Sequence, residues 1–270
     1  MTFIQAIVFG AVQGLTEFLP ISSTAHLVLL PWFMGWPDPG LSFDVALHLG
    51  TLVALLIYFR NDWIALVRSS LKLVRGNTTD PDARMAFFII VATIPGGLAG
   101  ALFESKVETV LRSPVIISFT LIALALVLVA AELKGRHKRN LEQISLNDAV
   151  TVGLAQAIAI VPGVSRSGVT ITAALFKGIK RDAAARFSFY LSTPIIAGAV
   201  AKKMLDIAAQ GLTADQMMPF VAGIVSAGIV GYFSIAFLLR YLQTHNTFIF
   251  VYYRIALGII VYLAFWSGFR

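Results

Sequence analysis

The sequence predicts an all-α integral membrane protein of about six transmembrane helices and two re-entrant helical hairpins, arranged as an inverted-topology internal repeat. Composition, the placement of basic residues and a recurrence along the chain together predict it. Of the 270 residues, 58% are hydrophobic and only 13% charged, where a soluble domain carries about 25% charged residues. Mean hydropathy is +0.83. Residues 85–103, 114–131, 219–239 and 247–269 are apolar runs, the first three without Asp, Glu, Lys or Arg. Each is close to the roughly 20 residues that span a bilayer core.

Basic residues fall in three clusters: five in 60–84, four in 134–139 and four in 177–186. By the positive-inside rule all three face the cytoplasm, so the net charge of +7 reflects loop bias and implies no nucleic-acid partner. Spans at 85–103 and 114–131 link the first cluster to the second, and the turn between them (Glu104, Lys106, Glu108, Arg112) is charge-balanced and expected outside. Between the second and third clusters the chain must enter and return, yet its arms, 147–161 and 168–176, are too short for two crossings and suit a hairpin. The segment 1–37, broken at "FLPISST", has the same form. The expected spans are then 43–59, 85–103, 114–131, 187–205, 218–240 and 247–268, with both termini outward. No basic leader or cleavage pattern marks the start, so Met1 onward is expected to be mature protein.

The recurrence is an offset of 143. "AIVFGAVQ" from Ala6 resembles "AVTVGLAQ" from Ala149, and each leads to a proline and a Ser-rich turn. "FDVALHLGT" and "FSFYLST" share a Phe and a Leu at an offset of 144. One membrane domain, 1–270, therefore divides into a repeat at about 1–131, a cytoplasmic linker at about 132–146 and a repeat at about 147–268. Each half has an odd number of crossings, so the halves are inverted and their hairpin tips meet near the midplane.

The tips carry the polar residues: Glu17, Ser22, Ser23, Thr24 and His26 in one, Ser165, Arg166, Ser167, Thr170 and Thr172 in the other. An ionisable group among apolar segments is costly to bury and marks function. Pro20 and Pro162 end the incoming arms, and the serines after them suit the N-caps of new short helices. Two helix N-termini with hydroxyls and an arginine fork form an anion pocket. His48 in "ALHLGT" either touches that pocket or bonds to a neighbouring helix, Gln13 and Gln156 at matching positions serve tip packing or substrate contact, and Arg254 is expected to snorkel or pair. There are no cysteines, and no Walker loop, dinucleotide fingerprint or zinc spacing is present.

"QGLTEFLPISSTAHL" and "PGVSRSGVTIT", in this order, resemble the two signature motifs of the undecaprenyl-pyrophosphate phosphatase family, also known as bacitracin-resistance proteins. "FDVALHLGTLVALL" and "ARFSFYLSTPIIAGA" extend the resemblance over essentially the whole chain. It implies hydrolysis of a C55 polyprenyl pyrophosphate to the monophosphate carrier for cell-wall synthesis, in the bacterial inner membrane. The site would open outward, use a divalent cation (Mg2+ or Ca2+), and leave a homo-oligomer open. On this resemblance Arg166, with Ser22, Thr24, Ser165, Ser167 and Thr170, binds phosphate, and Glu17 holds the cation or orients an attacking group. Ser23 is nucleophile with His26 as general base then acid, or His26 is itself the nucleophile. The family's first motif often begins with Glu where this chain has Gln13, so a second carboxylate for the metal is missing. The competing function is a transporter or flippase for a polyprenyl phosphate or other anion, since inverted repeats with broken helices also build transporters.

Overall fold

The computed structural model describes residues 1–74, 80–109, 111–211 and 213–269, and among these the regular structure is helical apart from one bridge between Arg139 and Ile179. Helices α1 (Phe3–Phe18) and α2 (Ser23–Met34) form the first hairpin, followed by α3 (Leu41–Tyr58), α4 (Arg60–Val74), α5 (Pro81–Thr109) and α6 (Pro114–Lys134). Helices α7 (Leu146–Ile158) and α8 (Arg166–Phe176) form the second, followed by α9 (Arg181–Gln210), α10 (Ala214–Leu242) and α11 (Phe248–Trp266).

Hairpin arms of 16, 12, 13 and 11 residues are about 17–24 Å long at 1.5 Å per residue, short of the roughly 30 Å hydrocarbon core. Within α3, α5, α6, α10 and α11 lie five segments long and apolar enough to cross a membrane. The sixth expected span lies in α9, whose 30 residues carry charges toward both ends and place Ser188, Ser192 and Thr193 in the protein interior. The chain is thus a multi-pass membrane protein.

Two expectations change. Residues 60–74, read as a charged connection, form the amphipathic α4, with Ile64, Val67 and Leu71 exposed along one stripe and Leu66 buried. Counting charges located this segment without revealing its helical period. The expected turn at 104–112 also shortens, because α5 continues to Thr109. The side chains of Glu104, Lys106 and Glu108 lie outside the described residues, while Arg112 pairs with Asp44 at 3.1 Å and Asp38 at 3.5 Å.

The three basic clusters share one end of the molecule. Arg186 reaches Asp62 at 3.1 Å, and Arg139 bonds Asp148 and the carbonyl of Lys177. Arg181 closes on Glu132. Packing between the halves is reciprocal: α1 lies on α10 as α7 lies on α5, α3 meets α10 as α9 meets α5, and α6 pairs with α11. Such an exchange of neighbours is the pattern that two repeats related by a pseudo-two-fold axis produce.

The α1–α10 contact positions the first tip, and it depends on close backbone approach. A Cβ on Gly14 would lie 2.6 Å from the carbonyl oxygen of Ala227 and 2.7 Å from the nitrogen of Gly231. Backbone cannot yield as a flexible side chain does. Gly14→Val is therefore expected to destabilise the protein by about 1–3 kcal/mol and to displace Glu17, one turn on. Thermal unfolding in detergent checks the first effect, and an unchanged midpoint would contradict it.

Candidate active site at the meeting of the two tips

Both breaks have one local design. After Pro20 and Pro162 the chain turns through Ser22 (φ 78°) and Ser165 (φ 70°), non-glycine residues in the left-handed region that favours glycine. Each is the N-cap of its short helix: Ser22 Oγ accepts from the N–H of Ala25, and Ser165 Oγ from that of Gly168 at 3.1 Å. The caps satisfy the third N–H of each helix, and the first two have no partner within the helix.

The tips are fastened to each other and to their surroundings. Ser167 Oγ donates to the carbonyl of Leu19 at 3.0 Å, across the two halves. Thr120 Oγ1 donates to the carbonyl of Pro162 at 2.7 Å. Arg254, 1% exposed, donates to carbonyls of both breaks, Pro20 at 3.1 Å, Gly163 at 2.9 Å and Val164 at 3.1 Å, and through Nε to Leu121 at 3.2 Å. It neither snorkels nor meets a carboxylate in these bonds. It staples the two breaks together.

A cavity of about 210 Å³ lies between the tips, lined by Glu17, Ser22, Ser23, Thr24, Ser165 and Arg166 from the sequence-derived set, and also by His48 and Gln156. Glu17 is its hub. Oε1 pairs with the guanidinium of Arg166 from the other half. Oε2 accepts from Ser23 Oγ at 2.6 Å and from Gln13 Nε2 at 3.0 Å, and lies 3.4 Å from His48 Nε2. His48 Nδ1 donates to the carbonyl of Asp44 at 2.8 Å, which turns Nε2 toward Glu17.

Other expected residues lie beside the cavity. His26 does not line it: Nδ1 donates to the carbonyl of Ser22 at 2.7 Å, and Nε2 accepts from the Tyr253 hydroxyl at 2.6 Å beneath a stacked ring. It braces the Ser22 turn, while the carboxylate that Ser23 reaches is Glu17. Ser167 holds Leu19, Thr170 bonds Arg166 O and Ser188 Oγ, and Thr172 bonds the carbonyl of Gly168. These three fix α8 in place. Charge inside an apolar run was the available signal for His48, but sequence alone left its partner open.

Among the described residues no group of three or more His, Asp or Glu is arranged to hold a metal ion. Two oxygens do suit a hard cation. Among the described residues Glu17 is the only carboxylate lining the cavity, and Gln13, which donates to it from outside the lining, has a buried Oε1 without a hydrogen-bond partner. Few protein oxygens completed by substrate phosphates and water is how Mg2+ is commonly bound.

The cavity continues into an apolar groove of about 460 Å³, the two sharing Gly96, Gly100, Ile160, Ile195 and Ala199. Leu41, Val45, Gly97, Pro194 and Gly198 extend it, together with Lys202 and Lys203. An anion-binding head joined to a greasy trough fits an amphiphile with a charged end.

Comparisons with known proteins agree. The profile of the family described as Bacitracin resistance protein BacA matches residues 6–260. The chain is 49% identical over 266 residues to an undecaprenyl-diphosphatase of Moorella thermoacetica, covering 98% of this chain and 99% of that one. It is 47% identical over 260 residues to one of Pelobacter propionicus (96% and 95%), and 49% identical over 268 residues to one of Thermomicrobium roseum (96% of each). With both polar tips inside the matched span, this chain belongs to the bacitracin resistance protein family.

Proposed function

We propose that the cavity hydrolyses undecaprenyl pyrophosphate to undecaprenyl phosphate and inorganic phosphate, returning the lipid carrier to cell-wall synthesis. The observation that carries this reading is the Ser23 hydroxyl donating to the Glu17 carboxylate at 2.6 Å, inside a cavity where Arg166 also projects. A nucleophile on a base, next to a guanidinium, is equipment for phosphoryl transfer. Glu17 takes the Ser23 proton as the oxygen attacks the terminal phosphorus, the bond from that phosphorus to the bridging oxygen breaks to release undecaprenyl phosphate, and water then displaces Ser23 from the phosphoserine to give inorganic phosphate. Arg166 spends one donor on Glu17 and keeps others for phosphate oxygens, joined by the free N–H groups of α2 and α8. His26 holds the Ser22 turn, and His48, when Nε2 also carries a proton, steadies Glu17.

Glu17 and Gln13 would hold a divalent cation, Mg2+ or Ca2+, which when bound supplies positive charge to the pyrophosphate oxygens. The apolar groove would take the polyprenyl tail. Lys202 and Lys203 lie some 20 residues along α9 from the basic cluster that begins it, about 30 Å at helical rise. That supports an opening on the side away from the basic loops, the outer face of the bacterial inner membrane. A transporter would need the binding groups but no hydroxyl seated on a carboxylate.

The test is phosphate release from C55 pyrophosphate by purified protein in detergent, with and without a chelator, beside Arg166→Ala. Chelator-sensitive release in the wild type, reduced by about 10²–10³ in the folded variant, is expected. Lipid binding without phosphate release would reject hydrolysis and favour the transporter.

A further inference from the structure

Gln156 lines the cavity from α7, is 3% exposed, and has an oxygen that nothing among the described residues satisfies. Its Nε2 donates to the carbonyl of Ala92 on α5 at 3.1 Å. Only the NH2 end of an amide can face a carbonyl, so this bond fixes the amide and assigns the unpartnered atom as Oε1. The approach is built into the packing. Gly153, one turn earlier, sits so close to α5 that a Cβ there would lie 2.7 Å from Ala92.

The matching residue in the other half, Gln13, also keeps an unpartnered Oε1 but spends its nitrogen differently, and unlike Gln156 it does not line the cavity. Gln13 and Gln156 are related by the offset of 143, and Gln13 binds Glu17 four residues on. Four residues after Gln156 stands Ile160, which offers no polar group. Gln156 therefore turns its nitrogen to α5 and keeps its oxygen. A buried amide oxygen without a donor is unfavourable.

Around the cavity Arg166 and the serine hydroxyls are donors, and the Glu17 carboxylate is a second acceptor that already has donors of its own. A fully ionised phosphate has no proton to give an amide oxygen. The donor that hydrolysis must bring is water. Resting on the phosphatase reading above, we propose that Gln156 is a positioning residue whose Oε1 accepts a hydrogen bond from the water that attacks phosphorus. In that step the water oxygen bonds to the phosphorus of the phosphoserine, and the bond from phosphorus to Ser23 Oγ breaks. One water proton passes to the leaving oxygen, directly or through a base, and the other stays on the phosphate or is released to solvent.

The experiment lets methanol compete with water. Wild type and variants are given C55 pyrophosphate in a methanol–water mixture, and methyl phosphate and inorganic phosphate are both measured. Methanol has one O–H where water has two, so a site that grips water through an extra acceptor favours water over alcohol. Gln156→Met, of similar length but without the acceptor, is expected to lower inorganic phosphate by roughly tenfold or more while raising the ratio of methyl phosphate to inorganic phosphate at least about threefold. Gln156→Glu keeps an acceptor and is expected to keep the wild-type ratio. The ratio comes only from folded, active protein, so lost folding cannot mimic the shift. Equal loss of both products in Gln156→Met, or a shift in Gln156→Glu as large as in Gln156→Met, would overturn the role. If Gln156→Met does not fold, Gln156→Asn, which withdraws the oxygen by one methylene, supplies the same ratio. A wild type that makes neither product would instead refute the phosphatase reading itself.

Discussion

Glu17→Gln leaves a folded protein whose release of phosphate from C55 pyrophosphate falls by about 10²–10⁴, the span expected when a positioned proton acceptor is removed. The reason is the number of contacts that meet on one carboxylate. Ser23, Gln13 and the Arg166 guanidinium all donate to it, and His48 Nε2 stands 3.4 Å away. An amide of the same shape offers one oxygen instead of two and turns an NH2 group toward at least one of those donors. The serine then loses its base and the arginine its fixed direction together. A double variant with Arg166→Gln should therefore cost far less than the product of the two single losses, because residues acting as a unit are not additive. Multiplying losses would show that the two tips act separately. Arg166 is partly open to the cavity, at 16% exposure of its side chain, so losing its partner is tolerable for the fold, which thermal unfolding in detergent checks.

The parts of the site that were legible in the sequence are those where a chemical type contradicts its surroundings. Glu17 and Arg166 are charges in apolar runs, each next to a proline that breaks a helix, and the serines that follow have few roles besides capping. The offset of 143 linked two distant segments before any contact between them was known. Partners were harder to read, because a hydrogen bond depends on rotation about a helix axis that a residue list does not define. His26 and His48 illustrate this. Both are lone histidines in apolar helices, yet one spends its nitrogens on Ser22 and Tyr253 while the other faces Glu17. Helix α4 escaped because basic residues locate a segment relative to the membrane but do not distinguish a loop from a helix lying along it. Fold class survived these gaps because it rests on hydropathy summed over many residues, where one partner left open changes little.

Arg254 was legible only as an oddity, a single charge in a 19-residue apolar helix, and its removal is expected to have the largest effect on the fold. Its guanidinium supplies donors to Pro20, Gly163, Val164 and Leu121, carbonyls from two breaks and α6. The breaks exist because proline and positive-φ serine interrupt helices, and each interruption frees carbonyls that bilayer hydrocarbon cannot satisfy. Arg254→Met fills similar volume but donates nothing. The three break carbonyls left unpaired each cost about 1–3 kcal/mol, while Leu121 keeps its helical partner, so the variant should lose at least about 3 kcal/mol of stability. Its remaining folded fraction should also lose activity, since the tips that carry Glu17 and Arg166 are no longer held in register. Arg254→Lys is the sharper comparison. A lysine keeps the charge but gathers its three donors at one point, whereas the carbonyls here are spread over three segments and match a planar fork. If charge alone mattered, lysine would restore both the unfolding midpoint and phosphate release; if the fork is the staple, both stay well below wild type. An Arg254→Met protein with an unchanged midpoint would mean that the breaks are held by Thr120 and Ser167 without it.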